Sequence, residues 1–163
     1  MKTSEFESLD DELFDAVPLE RVTPLSEVQS EVWLADRLGQ DASLAFNESV
    51  NIRLRGPLDL AVLRGAINAL VARHESLRAT VSPDGREVLV SVFAPIDVPV
   101  FDLRSQSADE IQASLSRAQS AAVSTPFDLE RGPLFRVACY RLGDQDHLLL
   151  MTAHHIILSL IHI

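Results

Sequence analysis

The feature that most constrains this chain is an apolar run that ends in two adjacent histidines. The run begins after His147, continues through Met151 and Ala153, and delivers His154 and His155 to the point where a strand should end. Side chains of adjacent strand residues point to opposite faces of a sheet. One imidazole can therefore face a cavity while its neighbour lies in the protein interior. Imidazole titrates nearest neutral pH, so a general base is one interpretation, and a pair that merely ends a strand is the other.

Composition limits the classes of function. The chain has 163 residues, 47% of them hydrophobic and 23% charged, which predicts one globular domain with a real core. Its net charge is −10, and the basic patch that a nucleic-acid-binding protein normally carries is not visible. We therefore expect no nucleic-acid partner.

The first twenty residues are strongly acidic. Lys2 is their only basic residue before Arg21, and it is outnumbered by the acidic residues Glu5, Glu7, Asp10, Asp11, Glu12, Asp15 and Glu20. Residues 1–20 are predicted to form an acidic leader, either a solvated segment or a short helix. A docking tail for a basic partner is the alternative.

Cysteine content and targeting patterns favour the cytoplasm. Cys139 is the only cysteine and lies in an apolar run, which predicts a buried small hydrophobic residue and excludes an internal disulfide. The N-terminus lacks the basic and then apolar pattern of a secretory signal. The apolar stretch at the C-terminus is too short and too polar to cross a membrane. We expect a cytoplasmic protein.

Helices and strands alternate along the chain. Ser26 is predicted to cap a first helix that ends at Gly39, with the apolar face Leu25, Val28, Val32 and Ala35. Residues 48–55 alternate as a half-buried strand with Val50, Ile52 and Leu54 on one face. Asp59 caps a second helix, and its predicted buried face comprises Leu60, Leu63, Ile67, Leu70 and Val71.

Two hairpins and a third helix complete the pattern. Residues 82–85 form a turn between a strand at 79–81 and a returning strand with Val88, Val90 and Val92. Pro95 and Pro99 predict an irregular segment. Ser107 and Glu110 form a capping box for a helix with the apolar face Ile111, Leu115, Ala118 and Ala122. A strand through Tyr140 then turns at residues 143–146 into the histidine strand. The predicted fold class is α+β, with helices packed on one mostly antiparallel sheet.

Four separated stretches resemble motifs of one enzyme family. They read PLSEVQSEVW at 24–33, RHESLR at 73–78, FDLERGPLFR at 127–136 and AHH at 153–155. Each resembles, in the same order, a motif of the condensation domains of nonribosomal peptide synthetases. The resemblance implies the fold of chloramphenicol acetyltransferase, in which two lobes enclose an active-site tunnel. Residues 21–157 would be an incomplete N-terminal lobe, an α/β two-layer sandwich.

The resemblance also implies a reaction and its partners. Such domains form an amide bond when a carrier-bound amine attacks a carrier-bound thioester, and each substrate arrives on a phosphopantetheine arm. Peptidyl or acyl carrier domains and the missing C-terminal lobe are therefore the expected partners. The resemblance implies no directly bound cofactor and no metal. The doublet argues against the heterocyclising subfamily, which has aspartate in this motif.

Roles for individual residues follow from the same resemblance. His155 would be the catalytic histidine, either as a general base or by positioning the attacking amine, and His154 its structural neighbour. Arg78 would help to order the active site, supported by Arg73, His74 and Glu75. The alternative for these four residues is a solvated helix end with weak local ion pairs. Structural roles are expected for Gln29, Trp33, Asp128, Gly132 and Pro133.

The third motif departs from the family pattern after Ile157. The family places an aspartate and a glycine where this chain has Ser159 and Leu160. Residues 158–163 match the translation of the transposase adapter CTGTCTCTTATACACATC, so we interpret them as a non-native tail. His162 is therefore set aside, and the spacing of the remaining histidines matches no standard zinc site.

Two further functions stay open at this level. A free-standing acyltransferase of the same fold would use the same histidine doublet. A non-catalytic module that docks carrier proteins would tolerate the altered motif. For a condensation domain, the missing lobe and the incomplete motif predict that residues 1–163 alone are inactive.

Sequencing the source DNA across the junction after Ile157 tests the adapter interpretation. We expect the genomic frame to continue through aspartate and glycine into a second lobe. A genomic frame that instead encodes residues 158–163 followed by a stop codon would contradict it and favour the non-catalytic module.

Overall fold

The computed structural model describes residues 18–158, in which helices pack on two small sheets. The strands are β1 (Leu19–Pro24), β2 (Asn47–Arg55), β3 (Ala79–Val81), β4 (Glu87–Ser91), β5 (Val100–Asp102), β6 (Phe135–Gly143) and β7 (Asp146–His154). The helices are α1 (Glu27–Asp36), α2 (Gln40–Leu44), α3 (Leu60–Arg73), α4 (Ala108–Ser124) and α5 (His155–Leu158), with a 3₁₀ turn at Glu75–Arg78.

Strand β7 is interior in the larger sheet. That sheet has the order β2-β7-β6-β5, and the smaller has the order β1-β4-β3. Strand β7 pairs antiparallel with β2 on one side and with β6 on the other, whereas β5 runs parallel to β6. The predicted α+β class and mostly antiparallel pairing are confirmed. The prediction of one sheet is wrong, because β1, β3 and β4 form a separate sheet.

Apolar packing covers both faces of β7. Leu148 and Leu150 belong to a small cluster with Leu115 of α4. Leu149 and Ala153 point to the other face and join the main core, which includes residues of α1, α3, β3 and β4. A strand that is buried on both faces reads as a continuous apolar run, which explains why the sequence from 148 to 153 is so hydrophobic.

The three predicted helix starts are confirmed by their caps. Ser26 and Gln29 form a capping box at α1, and Ser107 and Glu110 form one at α4. Asp59 accepts hydrogen bonds from the first backbone N–H groups of α3. In each case, a short polar side chain satisfies donors that have no partner within the helix.

Several predicted buried positions are exposed. Val28 and Val50 are 53% and 55% exposed, and Leu70 and Ile52 are about 40% exposed. Periodicity identifies the apolar side of an element but not how far its neighbours extend over it. Gly39 does not end the first helix. That helix ends at Asp36, and Gly39 instead precedes α2.

Three short elements carry no recognisable sequence pattern. Strand β1 begins at Leu19, inside the segment assigned to the acidic leader, and pairs with β4. Strand β5 has three residues directly after Pro99, and α2 has five. Elements of three to six residues are too short for a hydrophobic period to be recognised in the sequence. Residues 1–17 of the leader and 159–163 of the predicted tail lie outside the described range, whereas Leu158 packs against the main core.

Gly85 lets the β3–β4 turn pack closely against Trp33 of α1. Its φ is +68°, and a Cβ atom built there would lie 2.5 Å from the ring of Trp33. A left-handed conformation and a steric clash both oppose a side chain at this position. The turn therefore requires glycine.

Substituting Gly85→Ala tests this close approach. We expect the free energy of unfolding in urea to fall by about 2 kcal/mol or more, since strain and overpacking add. Gly65→Ala is the matched control, because Gly65 is helical and its added Cβ meets no atom within 4 Å. The control should gain about 0.5–1 kcal/mol. Equal effects of the two substitutions would contradict the proposed clash.

Candidate active site

His154 is fully buried at the end of β7. Its ring packs between two aromatic rings, with centroids 5.8 Å from Phe46 and 6.1 Å from Phe127. The backbone N–H of Ile156 donates to its Nδ1 at 3.3 Å. Since Nδ1 accepts this bond, the neutral ring carries its proton on Nε2. This hydrogen bond holds the backbone at Ile156, immediately after β7, against the His154 ring.

The environment of His154 favours the uncharged ring. Burial lowers the pKa of His154 to about 4, although nearby Asp36 opposes the shift. The Nε2 atom lies 3.7 Å from Oδ1 of Asp36, beyond hydrogen-bond distance. His154 is therefore neutral at neutral pH. Its role as the structural neighbour of His155 stays a prediction.

His155 has the opposite environment. It is the first residue of α5, and its side chain is 44% exposed. Nδ1 lies 2.8 Å from Oε1 of Glu48, and the backbone N–H donates to the carbonyl of Phe46 at 2.8 Å. The two histidines therefore have different surroundings, as the sequence predicts, although the strand ends at His154 and His155 begins α5.

The pairing of β2 with β7 places Glu48 beside His155. Asn47 lies opposite His154, and Glu48 lies opposite Ala153. Ala153 and His155 are two residues apart, so Glu48 is the diagonal neighbour of His155 on the same face. Sequence reasoning missed Glu48. Its only sequence signal is a charged residue at the start of an otherwise alternating strand.

Gln29 connects α1 to α5. Its buried side chain accepts a bond from the N–H of Ser26 at 2.9 Å and donates to the carbonyl of Ile156 at 3.3 Å. One amide thus completes a helix cap and also holds the turn that follows His155. The structural role expected for Gln29 is the one that its contacts support.

Arg78 holds three elements of the fold together. Its guanidinium donates to the carbonyls of Val71 and Ser91 and pairs with Glu20, which connects α3, β4 and β1. Within residues 18–158, it makes no hydrogen bond to His154 or His155. The 3₁₀ turn that contains Arg78 packs against α5, so any ordering of the site by Arg78 is indirect.

The other three charged residues of that motif lie at the end of α3. Glu75 pairs with Arg21 of β1 in an exposed ion pair. Arg73 is the last helical residue, and His74 ends the helix with an extended backbone. The structure brings none of these residues into hydrogen-bond contact with the histidines inside the described range. Their supporting role stays a prediction.

The loop before β6 supports the buried histidine. Oδ1 of Asp128 accepts from the backbone N–H groups of Glu130 and Arg131, both at 3.0 Å. The Arg136 guanidinium lies 3.8 Å from the ring centroid of Phe127, and that ring packs on His154. The motif at 127–136 thus stabilises the surroundings of the doublet.

Other candidate sites are poor. A mainly apolar cavity of about 700 Å³ lies beside β6 and α4, but neither His154 nor His155 lines it. Burial raises the pKa of the Cys139 thiol, which disfavours a reactive thiolate. Across residues 18–158, no three His, Cys, Asp or Glu side chains are arranged to hold a metal ion. No helix in that range is long and apolar enough to span a membrane.

Comparison with known families identifies one match. The family described as "Condensation domain" matches residues 19–159. One of the proteins that make up the linear gramicidin synthase of Brevibacillus parabrevis is 39% identical over 136 residues, which cover 82% of this chain and 3% of that protein. Cyclosporin synthetase simA of Tolypocladium inflatum is 39% identical over 136 residues, covering 82% of this chain and 1% of that protein. The chain thus spans only a few per cent of the length of these relatives.

Solved structures give the same result. The starter condensation domain of the rhizomide synthetase RzmA is 30% identical with a TM-score of 0.74, covering 83% of this chain and 34% of that one. The first condensation domain of the calcium-dependent antibiotic synthetase is 26% identical with a TM-score of 0.69, covering 83% and 33%. This chain therefore spans about a third of the solved domains it matches.

The buried, neutral His154 predicts a loss of stability in mild acid. The folded pKa of about 4 lies below the ordinary 6.5, so the unfolded state binds more protons between these values. The contribution of the neutral His154 ring to the stability of the folded state is therefore complete above pH 6.5 and is lost as the pH falls towards 4. Between pH 7 and pH 5, His154 should remove about 2 kcal/mol from the free energy of unfolding.

A His154→Gln variant isolates this contribution, because glutamine can accept the Ile156 bond but does not titrate. We expect the variant to be less stable at pH 7 and to lose about 2 kcal/mol less than the wild type between pH 7 and pH 5. Denaturant titrations at each pH measure the difference. Parallel pH dependences of the two proteins would show that His154 does not resist protonation.

Proposed function

Because this chain belongs to the condensation domain family, we propose that it supplies the catalytic histidine, His155, to amide-bond formation by a nonribosomal peptide synthetase. The observation that carries the proposal is the contrast within the doublet. His154 is sealed in the core, while His155 presents a side chain that is 44% exposed at the end of β7. The two histidines with these contrasting environments are also the histidine doublet of the family motif at 153–155.

The chemistry requires one group that handles a proton. The amine of an acceptor substrate attacks the carbonyl carbon of a donor thioester, so a C–N bond forms and the C–S bond breaks. Nε2 of His155 takes a proton from the attacking nitrogen, and the departing thiolate is protonated in turn. An imidazole can accept the first proton and donate the second, so one side chain serves both transfers. If His155 instead only orients the amine, the same nitrogen accepts its hydrogen bond.

The substrates in this proposal arrive on partner domains. Carrier domains present the donor and the acceptor on phosphopantetheine arms, and this chain binds no cofactor of its own. The relatives named above are a linear gramicidin synthase and a cyclosporin synthetase, which supports this assignment over a free-standing acyltransferase or a non-catalytic docking module. A cytoplasmic location belongs to the same proposal.

The described lobe alone is proposed to be inactive. Tunnel walls that would position two carrier-bound substrates come from a second lobe in this fold family. Without them, His155 remains open to water, and the proximity on which bimolecular transfer depends is lost.

The test is amide-bond formation by the intact synthetase that contains this segment. Carrier domains loaded with donor and acceptor are mixed with the enzyme, and the carrier-bound product is followed by mass spectrometry. We expect His155→Ala to reduce the rate at least about 100-fold, since a positioned acid–base group contributes that much. The same assay with residues 1–163 should yield no product above the uncatalysed level.

The control variant is Gln112→Ala, which removes an exposed side chain in α4. Gln112 lies outside the four family motifs, and alanine favours a helix at least as well as glutamine. Its rate should stay within about threefold of the wild type. Comparable rates for His155→Ala and the wild type would refute the catalytic assignment.

A further inference from the structure

We propose that Glu48 is a positioning residue for His155, fixing which ring nitrogen faces the substrate. This inference rests on the proposed function of His155. It is carried by the 2.8 Å contact between Oε1 of Glu48 and Nδ1 of His155. The other carboxylate that lies on β2 or β7, that of Asp146, makes a different contact, since it pairs with Arg53 at the far end of the two strands.

The sheet sets this contact. Nine consecutive residue pairs join β2 to β7, from Asn47 opposite His154 to Arg55 opposite Asp146. That register puts Glu48 and His155 on one face as diagonal neighbours. The hydrogen bond from the His155 N–H to the Phe46 carbonyl, at 2.8 Å, then holds the backbone of the histidine against β2. The backbone therefore places the two side chains within hydrogen-bond reach of each other.

Hydrogen-bond chemistry determines the tautomer. An ionised carboxylate can only accept hydrogen bonds, so Nδ1 of His155 must carry the proton it donates to Glu48. Nε2 of the neutral ring is then left with a lone pair. No group among residues 18–158 forms a hydrogen bond with Nε2. It is therefore the nitrogen that remains available to accept a proton or a hydrogen bond from an amine.

Stability does not account for the pair. Both side chains are about half exposed, at 44% for His155 and 56% for Glu48, and ion pairs that are open to solvent contribute little to folding. A carboxylate that orients a histidine is instead a recurrent arrangement in catalysis, because it holds the imidazole in one tautomer and stabilises the imidazolium when it forms. The position of Glu48 fits this second use.

The tautomer of His155 is the direct readout. The 163-residue chain is labelled with ¹⁵N-histidine, and the ring nitrogens are followed over a pH series so that the spectrum of the neutral ring is identified directly. We expect the wild type to show the Nδ1–H form at His155, and Glu48→Ala to shift it towards the Nε2–H form. Glu48→Gln, which retains an acceptor oxygen, should restore much of the Nδ1–H form. A purely structural role for Glu48 would leave the tautomer unchanged.

Kinetics in the intact synthetase provide the second readout. Glu48→Ala should lower kcat about 10- to 100-fold with little change in KM for the acceptor, because orientation of the base acts on the chemical step. Glu48→Gln should recover part of that loss. Asp146→Asn is the matched control, since it removes another carboxylate paired across the same two strands. Its kcat should remain within about twofold of the wild type.

The outcomes separate the two proposals. A wild-type synthetase that forms no amide bond overturns the proposed function and, with it, the catalytic use of Glu48. An active wild type whose Glu48→Ala variant keeps the same kcat overturns the positioning inference alone. An unchanged His155 tautomer in Glu48→Ala also overturns it, whatever the rate.

Discussion

The arrangement of this lobe depends on the pairing of β7 with a strand on each side. Hydrogen bonds to β2 and β6 fix its register along its whole length, and apolar contacts cover both of its faces. A slip of one residue would turn every side chain of β7 to the wrong face. The same slip would exchange the environments of the two histidines, placing His155 in the core. The register of β7 therefore determines both the packing of the core and the position of His155.

Three of the four family motifs, far apart in sequence, contact the end of β7 or the helix α5 that follows it, where the fourth motif carries the histidine doublet. Gln29 from the first motif binds the carbonyl of Ile156. The 3₁₀ turn of the second motif packs against α5, and Phe127 of the loop before β6 packs on His154. These contacts bring parts of the chain that are far apart in sequence to the histidine doublet.

Local chemistry made much of the fold predictable from sequence. Ser26, Asp59 and Ser107 mark helix starts because their side chains satisfy backbone donors that no distant residue can reach. The two-residue period of a strand predicted opposed surroundings for His154 and His155, and the structure shows them even though α5 begins at His155. Features that depend on distant partners were not predictable. Strand β1 is recognisable only through its pairing with β4, and Glu48 gains its partner from the register of two strands that lie about a hundred residues apart. Periodicity within one segment carries no information about such neighbours.

The position of β7 in the larger sheet also sets the order in which the lobe can be completed during synthesis. Ser49 and Thr152 meet across β2 and β7 although 103 residues separate them. On the ribosome, β2, β5 and β6 emerge before the strand that lies between β2 and β6, so the sheet cannot close until β7 leaves the exit tunnel. During that interval, β2 and β6 present apolar faces and unpaired edges to chaperones or to neighbouring nascent chains. Among the strands of residues 18–158, the last to emerge is also the one that leads into the histidine doublet.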